Sequence, residues 1–169
     1  MLTGKEDLLQ SLIEIYLMEK GINQFYSELS VKAKSSEARK TFTALANWEA
    51  EHVRHIQNFY QTLMDERDPA SFDEFAKKAR PDVAEGGTPL TELERKTDEF
   101  RFLDDIGAIQ FALNVEADEY NLYRKLAAKT DDSNVKALCK EFMGWEQDHI
   151  KYLKKVSENT EKTSKGGGQ

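Results

Sequence analysis

Trp145-Glu146-Gln147-Asp148-His149 is the stretch from which the rest of the chain can be read. It repeats Trp48-Glu49-Ala50-Glu51-His52 at an offset of 97 positions, and in both places a tryptophan precedes Glu-x-x-His. A step of 30 back from Glu49 reaches Glu19, and the same step back from Glu146 reaches Glu116. The two halves then align without a gap: Tyr26 falls on Tyr123, Leu29 on Leu126, Lys32 on Lys129 and Ser36 on Ser133. A single repeat of this length describes two related helical hairpins rather than a solenoid.

Apolar residues such as Leu8, Leu12, Ile15, Ile22, Phe25 and Leu29 recur mostly at helical spacing, as do Phe42, Leu45, Ile56 and Tyr60 further on. The pattern predicts helices over about 4–33, 36–64, 103–129 and 133–157. Ser35-Ser36 and Thr130-Asp131-Asp132-Ser133 are short turns, so the helices within each hairpin are antiparallel neighbours. Between the hairpins the pattern breaks. Asp68-Pro69, Arg80-Pro81 and Gly86-Gly87-Thr88-Pro89 interrupt the chain, and the capping box Ser71-Phe72-Asp73-Glu74 opens a short helix. This connection is far longer than antiparallel neighbours need. It could travel the ~40 Å length of a helix at ~1.5 Å per residue. The expected fold is all-α: a ferritin-like antiparallel four-helix bundle with a long crossover between its second and third helices. One domain spans 1–158, and the polar tail 159–169 is expected to be disordered.

A chain of 169 residues can bury a proper core, and its 33% of charged residues suits long helices with solvated outer faces. The formal net charge of −7 argues against nucleic acid or an anionic membrane as a partner. The single Cys139 excludes an internal disulfide and any Cys-x-x-Cys metal knuckle, and its place in a helical pattern suits a buried, inert thiol. The first residues show no basic start followed by an apolar run, and no stretch has the length of apolar sequence a membrane span needs. A cytoplasmic protein is expected.

On an α-helix, residues three apart lie on one face about a turn apart. Glu49 with His52, and Glu146 with His149, therefore each point two ligand groups at one centre. Glu19 and Glu116 come from the other two helices. One glutamate from each of two helices and Glu-x-x-His from the other two form the ligand set of dinuclear carboxylate bundles. Carboxylates bridge two cations and offset their charge, while one imidazole per metal completes a site with open positions. Without cations, so many buried glutamates would be electrostatically untenable. The carboxylate and imidazole donors suit iron, manganese or a mixed pair. Tyr26 and Tyr123 lie seven residues after Glu19 and Glu116. Their hydroxyls either hydrogen-bond ligand carboxylates as a second shell or belong to core tyrosines. His55 is read as non-ligating, and Trp48 and Trp145 as packing residues rather than electron carriers.

The chain resembles the rubrerythrins of the ferritin-like superfamily. The matching stretches are Met18-Glu19-Lys20-Gly21 with Phe25-Tyr26, Leu45-Ala46-Asn47-Trp48-Glu49-Ala50-Glu51-His52, Glu116-Ala117-Asp118-Glu119 and Trp145-Glu146-Gln147-Asp148-His149. The resemblance covers about 8–157. Its most specific element is an asymmetry: helix three carries a second acid, Glu119, where helix one has Ile22. The resemblance implies a di-iron centre in which Glu119 is a further ligand, with one iron moving between Glu119 and His52 as the redox state changes. It also implies reduction of hydrogen peroxide to water in oxidative-stress defence, by a homodimer or small homo-oligomer. Many relatives carry a rubredoxin domain with two Cys-x-x-Cys pairs, which this sequence lacks. A separate electron donor, such as a rubredoxin-type protein, is then needed. The alternative function is ferroxidase and storage chemistry, with Fe(II) oxidised by O2.

Overall fold

The computed structural model describes residues 4–64, 74 and 104–166. They form four helices: α1 (Gly4–Lys32), α2 (Ser36–Met64), α3 (Asp105–Lys129) and α4 (Ser133–Gly166). There is no strand among the described residues. Also among these residues, no helix is long and apolar enough to cross a membrane.

The turns form where the sequence places polar caps. Ser35 Oγ accepts a hydrogen bond from the Ala38 backbone N–H at 3.0 Å. Asp132 Oδ1 accepts from the N–H groups of Asn134 and Val135 at 2.7 and 3.2 Å, satisfying donors that the first turn of α4 leaves free. At the start of α3, Asp104 caps the N–H of Gly107. Apart from Glu74, the expected short helix near residue 71 and the remainder of the long connection lie outside the described residues.

One boundary differs. The fourth helix was expected to end near 157 and the residues from 159 to be disordered, but α4 continues to Gly166. Glu158 to Lys165 contains neither proline nor glycine, so nothing in it interrupts the helical ladder before the glycine run that begins at Gly166.

Side-chain pairs fix the helix directions. Between α1 and α2, Asn23 reaches Ala46 and Glu19 reaches His52, so residue numbers rise on one helix as they fall on the other. The same reversal joins α1 to α3 (Tyr26 with Glu116, Tyr123 with Glu19) and α2 to α4 (Trp48 with Tyr152, His52 with Trp145). Since α2 and α3 both oppose α1, they are parallel to each other. The end of α2 and the start of α3 therefore lie at opposite ends of the four-helix bundle.

The apolar core comes in two parts. Leu8, Leu12, Ile15, Ile56, Leu138 and Phe142 belong to one cluster. Ile22, Phe25, Phe42, Leu45, Ile109 and Leu153 belong to the other. The clusters are related by the repeat: Leu12 corresponds to Ile109, Leu45 to Phe142 and Ile56 to Leu153, each pair split between them. Fully burying one such side chain contributes ~1.5–3 kcal/mol, so the two clusters hold the hairpins together.

Candidate metal centre

The bundle also buries a set of polar side chains: Glu19, Glu49, Glu116, Glu119 and Glu146 with His52 and His149. All seven are at most 5% exposed; six come from the helical positions the repeat gave them, and the seventh, Glu119, from the position where the repeat has Ile22. The i, i+3 spacing does what helical geometry requires. His52 Nδ1 is 3.0 Å from Glu49 Oε2, and His149 Nδ1 is 3.1 Å from Glu146 Oε2.

Each hairpin completes its own set. His52 Nδ1 lies 3.1 Å from Glu19 Oε2, and His149 Nδ1 lies 2.8 Å from Glu116 Oε2. Two carboxylates then cross between the sets. Glu49 Oε1 is 3.3 Å from His149 Nδ1, and Glu146 Oε1 is 3.6 Å from His52 Nδ1. Three overlapping groups of donor atoms are close enough to hold a metal ion: Glu19, Glu49 and His52; Glu49, Glu116, Glu146 and His149; and His52, Glu146 and His149. Glu49, Glu146, His52 and His149 each belong to two of the groups, and Glu49 and Glu146 are the shared carboxylates. Glu119 is buried with the rest but belongs to none of these groups.

Tyr26 and Tyr123 take the hydrogen-bonding alternative. The Tyr26 hydroxyl donates to Glu116 and the Tyr123 hydroxyl to Glu19, so each hairpin orients a carboxylate of the other. Burial, followed by the neighbouring carboxylates, pushes both phenols well above their usual range and keeps them as donors.

Electrostatics shows how costly the set is without a cation. Burial and the adjacent Glu49 raise Glu19 to about 8. Burial also raises Glu119 and Glu146 well above the carboxylate range. The other carboxylates add to this at Glu119, and at Glu146 they act against the lowering contact with His149. Burial pushes Glu49 the same way, but its contacts with His149 and His52 prevail and hold it below the usual range. The imidazoles show the converse. Burial would lower them, yet the carboxylates raise His52 to about 10 and His149 to about 12.

Both oxygens of Glu49, Glu119 and Glu146 are buried with no hydrogen-bond partner. The oxygens of Glu49 and Glu146 face the two imidazoles at 3.0–3.6 Å, an arrangement of donors that a cation could share. Unpaired buried polar atoms cost ~1–3 kcal/mol each and are rare in native interiors. Carboxylate and imidazole donors suit iron and manganese, among other metals.

The outer edge of the centre reaches solvent between α2 and α4. A pocket of about 510 Å³ is lined there by Trp48, Glu51, His52, His55, Trp145, Asp148 and His149. His55 Nε2 lies 3.4 Å from the exposed Glu141, and His55 is in none of the three candidate donor groups. Trp48 stacks on His149 and Trp145 on His52, across the helix interface. The sequence reading gave the tryptophans a packing role in preference to an electron-carrying one. Their recurrence at the repeat offset, immediately before each Glu-x-x-His, was the available signal. Cys139 is buried, and burial pushes its thiol up to about 11, in keeping with an inert side chain.

Comparison of the chain with family models, with curated proteins and with solved structures gave no match.

Proposed function

We propose that the buried carboxylate and imidazole set is a dinuclear iron centre in a ferritin-like bundle. In this reading the chain is a rubrerythrin-type oxidoreductase that reduces hydrogen peroxide to water. The observation that carries it is the sharing of Glu49 and Glu146. Each carboxylate reaches both imidazoles, and none of its oxygens has a hydrogen-bond partner. A one-metal site has no use for two such crossing groups, whereas two adjacent cations need bridging acids.

Bound iron would supply two electrons and polarise the O–O bond of peroxide. The protein supplies position. Glu19, Glu49 and His52 would hold one ion, and Glu116, Glu146 and His149 the other, while Tyr26 and Tyr123 fix the carboxylates of Glu116 and Glu19. Glu119 has no partner for either oxygen, which suits a carboxylate that joins the centre in one redox state and leaves it in the other, opposite His52. The pocket between α2 and α4 gives solvent a way to the imidazole edges. Electrons come from a separate donor, such as a rubredoxin-type protein, and the assembly is a homodimer or small homo-oligomer.

The test is stopped-flow absorbance on anaerobically loaded Fe(II) protein, mixed separately with hydrogen peroxide and with O2. Faster oxidation by peroxide, at two irons per peroxide, is expected, together with loss of the reaction in Glu119→Ala and His52→Ala. Faster oxidation by O2, continuing past two irons per chain, would replace this reading with ferroxidase and storage.

A further inference from the structure

Four aromatic rings stack in series across the α2–α4 interface: Trp145, His52, His149 and Trp48. Successive centroids are 4.6, 5.0 and 4.9 Å apart, with interplanar angles of 20°, 5° and 12°. The two inner rings turn their Nδ1 atoms to the carboxylates. The two outer rings are half-buried and line the solvent pocket. These are the only tryptophans in the chain, and each rests on the imidazole of the opposite helix.

Filling space does not require this arrangement. A leucine or methionine would cover an imidazole face, as other helix contacts in this bundle are covered. Indole differs from them in being polarisable and readily oxidised, and parallel contact joins its π-system to that of a ligand ring. Among the described residues, two apolar clusters and the buried Tyr26 and Tyr123 also pack in the bundle interior. The indoles combine stacking on the imidazoles with a place in the pocket lining beside them.

We propose that Trp48 and Trp145 are the electron entry of this protein. A one-electron carrier with a surface-exposed redox group meets the chain at the α2–α4 pocket, and electrons pass through an indole into a ligand imidazole. The inference rests on the peroxide-reducing reading and adds to it the place of reduction and the residues that conduct it. In the full cycle two carrier molecules each give up one electron. One hydrogen peroxide takes up those two electrons and two protons from solvent and leaves as two waters. The pocket rim suits a carrier without strong net charge of its own. Glu51 and Asp148 are each paired with a cation one turn on, Arg54 at 3.4 Å and Lys151 at 2.7 Å.

Hexaammineruthenium(II), an outer-sphere one-electron donor that cannot ligate iron, is the probe. Iron-loaded protein is oxidised with peroxide, and its reduction by the probe is followed anaerobically. The double variant Trp48→Leu/Trp145→Leu is expected to be reduced at least tenfold more slowly, while its iron content and its oxidation by peroxide stay within twofold. The double Trp→Phe variant keeps a ring in each position and is expected to fall between, at least threefold slower than native. It also serves as the test if the leucine variant does not fold. A readout independent of turnover uses Trp48→Phe and Trp145→Phe singly, each leaving one tryptophan. In both, stoichiometric iron is expected to quench the remaining emission. Native reduction rates in the double variants, or emission indifferent to iron, would overturn the electron entry. Failure of native protein to be oxidised by peroxide would instead remove the underlying reading. The reduction assay can still be run on protein oxidised with O2, so the two failures are distinguishable.

Discussion

At one position on equivalent helices, the first hairpin has Ile22 and the second has Glu119. Both side chains are buried, at 4% and 3% exposure. Ile22 packs into an apolar cluster, whereas both oxygens of Glu119 lack a partner. Around them the hairpins agree: Glu19 and Glu116 face their histidines alike, and Tyr26 and Tyr123 exchange hydrogen bonds reciprocally. Packing would favour isoleucine in both places. A carboxyl group retained in the unfavourable environment is explained by chemistry at the centre, and it makes two similar ligand sets inequivalent.

The comparison breaks most severely if the first hairpin is given the acid of the second. Ile22→Glu removes a core side chain and buries another unpartnered carboxyl, at an expected cost of about 3–5 kcal/mol to the metal-free protein, measured by urea unfolding. The reverse change, Glu119→Ile, makes the hairpins alike and is expected to stabilise the metal-free protein by about 1–3 kcal/mol. If the proposed function holds, the same variant consumes peroxide at least tenfold more slowly while still binding metal. A stabilised variant with full activity would assign Glu119 no role.

The pKa shifts add a pH dependence with a definite sign. Folded Glu19 titrates near 8 rather than 4.5, and Glu119 and Glu146 are displaced in the same direction. Between those values the folded state binds protons that the unfolded state does not, so stability falls as pH rises. His52 and His149, raised to about 10 and 12, contribute stability in full below 6.5 and lose it as pH rises through those values. Glu49 acts oppositely, losing its contribution only as pH falls below its unfolded value. Metal-free protein is therefore expected to melt at higher temperature at pH 5.5 than at pH 8.5. Metal binding displaces these protons, so the stabilisation gained from metal is expected to be larger at pH 8.5. Calorimetry with and without metal would check both.

The smallest effects test the reciprocity itself. Tyr26→Phe and Tyr123→Phe each remove one buried hydrogen bond to a carboxylate and are expected to cost about 1–2 kcal/mol. Equal costs would support a symmetric pair. A markedly larger cost for one, in the same unfolding experiment, would show that the inequivalence introduced by Glu119 reaches the terminal carboxylates.

The ligand candidates were legible because they obey local rules. A spacing of three on a helix and a repeat of 97 can be read without knowing which helices touch. Tyr26 and Tyr123 were legible as inward-facing, but their partners were not, since each lies on the other hairpin. The Trp–His stacks escaped for the same reason. Trp48 is one turn from His52 yet rests on His149, a contact made by the docking of α2 on α4. The C-terminal part of α4 was missed because its polar sequence has no apolar stripe to reveal it, and helix formation there rests on the absence of breakers. Ferritin-like connectivity depends partly on residues outside those described, although parallel α2 and α3 are the relation such a crossover would create.

That relation bears on how the chain acquires its structure. Each hairpin closes through a short turn, with contacts such as Asn23 to Ala46 separated by 23 residues. The contacts that join the hairpins span 90 and 104 residues. Local contacts form quickly and distant ones slowly. The hairpins should therefore assemble early and their docking should limit the rate. Docking is also the event that forces the five glutamates together. A divalent cation added during refolding is expected to shorten the slow phase and leave the fast one unchanged, which makes the metal a participant in the kinetics of folding.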